Sequence, residues 1–161
     1  MIAKIVGMFL VVLSAAYFAF EYIKKQRMKL LVFEELFRFI ERIRMEIGCY
    51  LKPISEISAD FSSDVLSRLG FLRDVGQVGV YSAYQRLAEK VKLDDEERRP
   101  LDRFFSSVGK GYADDELKLS GATLSELDLI LKRKRENAPK ENKLSLTLSC
   151  AGALALIILL I

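Results

Sequence analysis

Two uncharged apolar segments, one near each end of the chain, constrain the fold more than any other feature of the sequence. Leu144 to Ile161 contains neither a charged residue nor a proline, and Ile5 to Phe20 is also uncharged. As a helix, the second segment would be about 27 Å long at roughly 1.5 Å per residue, near the lower limit for crossing a bilayer. We therefore expect a membrane-spanning helix at each end of the chain.

Basic residues lie on the inner side of both segments. They are Lys24, Lys25, Arg27 and Lys29 after the first segment, and Lys132, Arg133, Lys134, Arg135, Lys140 and Lys143 before the second. Because positively charged flanks are retained in the cytoplasm, both segments predict the same topology. The expected division is an N-terminal transmembrane helix (1–23), a cytoplasmic helical domain (24–143) and a C-terminal transmembrane helix (144–161). A cleaved signal peptide for the first segment and a buried core helix for the second are the alternatives.

The region between the segments has helical periodicity. Apolar residues recur mostly three or four positions apart along one run: Phe33, Leu36, Phe37, Ile40, Ile43, Ile47 and Tyr50. This spacing predicts a long amphipathic helix that continues from the first segment and is ended by Gly48 and then Pro53. No stretch alternates with a period of two, so we predict an all-α fold, a cytoplasmic bundle of about five or six helices flanked by the two transmembrane helices.

Glycines and acidic runs suggest where these helices are interrupted. Gly70, Gly76 and Gly79 indicate a loop. The acidic run Asp94 to Glu97 is typical of a solvated loop, with Pro100 in the first turn of the helix that follows.

The last helix of the central region has a local start signal. Thr123-Leu124-Ser125-Glu126 has the form of a capping box, which predicts that a helix begins there. Pro139 is then expected to interrupt the path toward the C-terminal segment.

Residues suited to catalysis are scarce. The chain has no histidine and only two cysteines, which excludes Ser–His pairs and histidine metal ligands. Gly109-Lys110-Gly111 lacks the first glycine and the hydroxyl residue of a phosphate-binding loop, and the acidic runs lack calcium-loop spacing. The basic stretch 132–143 contains no aromatic residue of the kind on which nucleic-acid bases stack. We expect no catalytic site, cofactor, metal, nucleic acid or small-molecule substrate.

Several short motifs resemble a known family. Glu46-Ile47, the segment Pro53-Ile54-x-Glu56, and Gly111-x-x-Asp114 are similar to motifs of the stage III sporulation protein AB family of endospore-forming bacteria. Gly152 and the Leu/Ile-rich end resemble its final span, and the layout of two spans around a helical domain matches over the whole chain.

The resemblance implies a structural role. The family is similar to the cytoplasmic domain of inner-membrane platform proteins of type II secretion and type IV pilus machines. It implies a subunit in the mother-cell membrane around the forespore, within a channel complex, with a secretion-type ATPase, the other channel subunits and the lipid bilayer as partners. Two alternatives are a platform-type subunit of a pilus or type II-like secretion system and a metal-dependent membrane-bound hydrolase. We predict that exposed acidic residues form the docking interface: Glu46, Glu56, Asp114, Asp115 and Glu116.

Overall fold

The computed structural model describes the backbone of residues 2–49 and 52–160. It describes their side chains except those of residues 2–6, 8–12, 49, 141–142, 144–146, 148–150 and 153–160. All regular elements of this backbone are helices: α1 Ile2–Cys49, α2 Ile54–Asp60, α3 Asp64–Leu69, α4 Phe71–Val78, α5 Val80–Val91, α6 Asp95–Ser107 and α7 Ala113–Leu160. The predicted all-α class is confirmed.

The chain forms two compact units. One consists of Met1–Met28 and Arg133–Ile161, and the other is Lys29–Lys132. In the first unit, the side chains of Leu13, Tyr17, Phe18, Phe20 and Tyr22 are exposed, whereas Ala19 is buried.

The second predicted membrane span falls largely outside the described side chains, and the first falls partly outside them. Beyond the backbone, only Gly7 is described from Ile5 to Val12, and only Thr147, Ala151 and Gly152 are described from Leu144 to Ile161. Within the part of the chain that is described, the helices contain no stretch both apolar and long enough to cross a bilayer.

Both ends of the second unit contribute buried side chains to its core. It includes Val32 to Ile47 of α1, Leu124 to Leu131 of α7, and the inward faces of the helices between them. Aromatic rings fill its centre: Phe39 meets Phe71 edge to face at 5.5 Å between ring centroids, and Tyr84 stacks on Phe105 at 4.8 Å. Such pairs add to the stabilisation that burial of the rings provides.

The two long helices pack side by side in this unit. A Cβ atom placed on Gly48 of α1 would lie 3.6 Å from Leu117 Cδ2 of α7, and one placed on Gly121 would lie 3.7 Å from the guanidinium of Arg44. The residue pairs run in opposite directions along the chain, so α1 and α7 are antiparallel here. At both glycines a Cβ atom would be in ordinary van der Waals contact with the facing side chain, so the two helices lie in direct contact here.

The prediction of a loop at Gly70 to Gly79 is wrong. Residues Phe71–Val78 form α4, because Phe71 and Val75 lie one turn apart and are both buried. Gly70 and Gly79 instead end the helices that precede them, with φ of 85° and 84°.

The acidic run Asp94 to Glu97 is also not a loop but the start of α6. Glu97 Oε2 accepts a hydrogen bond from the Asp94 amide at 2.6 Å, one half of a capping box. Pro100 therefore lies inside α6 and not in its first turn.

The predicted helix start at Thr123 and the interruption at Pro139 are both wrong. Helix α7 begins ten residues earlier, at Ala113, and continues to Leu160 with Pro139 inside it. Thr123 is fully buried against the core and cannot serve as an exposed cap. The described part of α1 runs to Cys49, and Tyr50, the last residue of the predicted apolar stripe, lies outside the described residues.

Candidate functional site

The five acidic residues predicted to dock a partner divide into two groups by burial. Glu46 and Glu116 are buried, with 7% and 8% of their surfaces exposed. Glu56, Asp114 and Asp115 are exposed. Only the second group can present carboxylates to another protein without rearrangement.

Glu46 is held within its own helix. Its Oε1 lies 2.7 Å from Arg42 Nη2, one turn earlier in α1. Its other oxygen, Oε2, is buried and accepts no hydrogen bond from the residues that the structure describes. A buried carboxylate oxygen of this kind costs free energy, so the stabilisation of Glu46 rests on Arg42.

Glu116 fixes the turn between α6 and α7. Its Oε1 accepts hydrogen bonds from the amides of Gly109, at 2.7 Å, and Gly111, at 3.2 Å. Two amides of one turn directed at a single anion form a concave donor site, and the negative charge strengthens both bonds. Gly109 has a φ of 81°, a conformation that glycine adopts without strain.

This turn lies where four elements meet. A Cβ atom placed on Gly109 would lie 3.3 Å from Ile54 Cδ1 at the start of α2. The end of α1 contacts the first turns of α7 through Gly48 and Leu117. Glu56 on α2 and Asp114 and Asp115 on α7 therefore belong to the same end of the Lys29–Lys132 unit, and we call these three residues the acidic end.

The sequence analysis missed Tyr112, which directly precedes α7. Its side chain is 85% exposed. The nearby cation of Lys110 is directed at the end of α6, where Nζ donates to the Ser106 carbonyl oxygen at 2.7 Å. The position of Tyr112 directly after Gly109-Lys110-Gly111 could have predicted its exposure. Glycines in a turn have no side chains that could cover a neighbouring ring.

Metal-binding side chains do not converge within the described residues. No group of three or more His, Cys, Asp or Glu side chains among them is placed to hold a metal ion. What the described geometry offers at the acidic end is a charged protein surface supported by a fixed turn.

The fold and the site together define an all-helical protein with a compact central unit and an acidic surface where the long helices α1 and α7 meet in that unit. A family model described as Stage III sporulation protein AB matches residues 4–161. The chain therefore belongs to the stage III sporulation protein AB family, and membership indicates a protein of sporulation. Comparison with curated proteins and with solved structures found no match.

Proposed function

We propose that the chain is a membrane-anchored structural subunit, without catalytic activity, of a secretion-like channel between mother cell and forespore. In this proposal, the Lys29–Lys132 unit docks a cytoplasmic secretion-type ATPase through the acidic end. The observation that carries the docking proposal is that Glu56, Asp114 and Asp115 are exposed beside the turn that Glu116 fixes: Asp114 and Asp115 follow it in α7, and α2, which carries Glu56, contacts it through Ile54. A surface fixed before binding loses less conformational entropy when a partner binds.

The surface of the first unit supports the proposed membrane attachment. Apolar and aromatic side chains on α1 are exposed next to a cluster of basic residues, Lys24, Lys25 and Arg27. Exposed aromatic side chains are costly in water and favourable at the boundary between lipid and water, and nearby cations are attracted by anionic lipid. We propose a location in the mother-cell membrane around the forespore, with the Lys29–Lys132 unit on the cytoplasmic side.

The docking proposal is tested by measuring binding of the purified ATPase to the full-length chain in detergent. Asp114→Asn and Asp115→Asn, made together, remove two charges and leave side chains of nearly the same shape. Because the acidic end attracts a basic partner, we expect the double variant to bind at least about tenfold more weakly.

The matched control is Glu89→Gln, which removes an exposed charge from the last turn of α5. It should bind as the unaltered chain does, and circular dichroism should show the same helix content for all three proteins. Lack of saturable binding by the unaltered chain would contradict the ATPase as partner. Equal weakening by Glu89→Gln would show that net charge matters and the acidic end does not.

A further inference from the structure

Tyr112 is an unusual surface residue in this protein. With 85% of its surface exposed, it is less covered than any other large apolar or aromatic side chain that the structure describes. Isolated apolar residues on a surface need no special explanation. Two further features make the exposure of Tyr112 relevant to binding: its fixed backbone and its charged neighbours.

The backbone on both sides of Tyr112 is fixed by hydrogen bonds. Before it, Glu116 accepts from the amides of Gly109 and Gly111. After it, the Tyr112 carbonyl oxygen accepts from the amides of Asp115 and Glu116, both at 3.0 Å, in the first turn of α7. The ring therefore projects from a constrained backbone and needs little ordering when a partner binds. Tyrosine is well suited to such a position, because its side chain has only two rotatable bonds.

The charges around Tyr112 are mainly negative. Asp114 and Asp115 follow it in the chain and are exposed, and Glu56 lies on the helix that begins beside Gly109. The basic residue nearest to Tyr112 in the sequence, Lys110, donates to the Ser106 carbonyl oxygen at the end of α6. A cation from another protein would meet an aromatic face and carboxylates together.

We infer that Tyr112 is the aromatic anchor of the acidic end and receives an arginine side chain from the partner protein. The inference rests on the proposed function and names the chemistry of the partner surface. A guanidinium group stacks on an aromatic face and also binds carboxylates with two parallel hydrogen bonds, whereas an ammonium group does neither as well. Buried tyrosine and arginine pairs are frequent among the residues that dominate binding at interfaces.

Three substitutions of Tyr112 in the full-length chain test this inference against the purified ATPase. Tyr112→Phe keeps the ring, Tyr112→Leu keeps apolar volume without a ring, and Tyr112→Ala removes both. We expect Tyr112→Phe to bind within about twofold of the unaltered chain, since both rings attract a cation. Tyr112→Leu and Tyr112→Ala should each bind at least about tenfold more weakly.

The matched control is Tyr81→Ala, which removes an exposed tyrosine from α5. Tyr81→Ala should leave binding unchanged, and the thermal unfolding temperatures of the Tyr112 variants should match that of the unaltered chain. These outcomes would support a ring that binds a cation.

Other outcomes overturn the inference in distinguishable ways. If Tyr112→Leu binds as well as Tyr112→Phe, the contact is merely apolar and no guanidinium stacks on the ring. If Asp114→Asn with Asp115→Asn weakens binding but Tyr112→Ala does not, the anchor is wrong and the docking proposal stands. If the unaltered chain shows no saturable binding to the ATPase, the docking proposal and the inference fail together.

Discussion

Glu116 shows how burial changes the contribution of a single acidic residue to stability. Its carboxylate accepts two amide hydrogen bonds, whereas Glu126, on the same helix, is half exposed and pairs with Arg103 of α6. We expect Glu116→Ala to lower the free energy of unfolding by about 1 to 3 kcal/mol, because two amides lose a charged acceptor. Glu126→Ala should cost about 0 to 1 kcal/mol, since exposed ion pairs contribute little. Urea denaturation of both variants checks this, and equal losses would argue against a structural role for Glu116.

Tyr84 predicts a pH dependence of stability. Burial, together with the nearby charge of Asp102, raises the pKa of Tyr84 well above its ordinary value of 10.0. Above about pH 10 the unfolded chain loses this proton and the folded chain retains it, so the free energy of unfolding should fall as pH rises.

Replacement of Tyr84 isolates this effect from the other groups that titrate at high pH. Tyr84→Phe should show a smaller fall in unfolding free energy between pH 9 and pH 11 than the unaltered chain, measured by urea denaturation. Tyr81→Phe, which alters an exposed tyrosine of the same helix, is the control. A pH profile of Tyr84→Phe identical to that of the unaltered chain would contradict the assignment.

At the scale of elements, the glycines at the two ends of α4 have a different role from the one within it. Gly79, between α4 and α5, has φ 84° and ψ 159°, a region that side chains oppose. Gly76 is inside the helix, and a Cβ atom there would meet nothing within 4 Å. We expect Gly79→Ala to destabilise the protein by roughly 1 to 3 kcal/mol and Gly76→Ala to stabilise it by roughly 0.5 to 1 kcal/mol. Thermal unfolding of the two variants compares them directly, and a shared sign would mean that backbone conformation does not decide the result.

The same glycines show what the sequence could and could not predict about the elements. Helical periodicity identified α1 correctly, because its apolar residues form one continuous stripe over several turns. It missed α4, because two buried residues in eight give a weak pattern and three glycines a strong one. It placed the start of α7 at Thr123, because a local capping signal cannot reveal that tertiary packing buries that threonine completely.

The sequence predicted the candidate site only in part, for a similar reason. The sequence analysis predicted five exposed acidic residues as the docking interface, and Glu56, Asp114 and Asp115 are exposed. Glu46 and Glu116 were predicted to be exposed as well, yet the packing of the elements at this end of the unit leaves both buried. Tyr112 became a candidate only when its exposure was known, since aromatic residues are usually covered in a domain of this size.

At the scale of the whole molecule, the central unit contains a complete hydrophobic core. Its buried residues run from Val32 to Leu131, within Lys29–Lys132. We expect residues 29–132, produced alone, to unfold cooperatively on heating, followed by circular dichroism. A fragment of residues 53–132 should show no cooperative transition, because it lacks the α1 face that carries Phe33, Leu36 and Ile40. Non-cooperative unfolding of the longer fragment would mean that the rest of the chain is needed for the core to form.

The pairing of α1 with α7 also determines when the protein can fold during its synthesis. The ribosome produces the apolar face of α1 early, but the face that covers it between Leu124 and Leu131 comes last in the unit. Until then the nascent chain exposes apolar surface that favours aggregation. We expect α1 to depend on protection by a chaperone or by the translocation machinery while the intervening helices are being made.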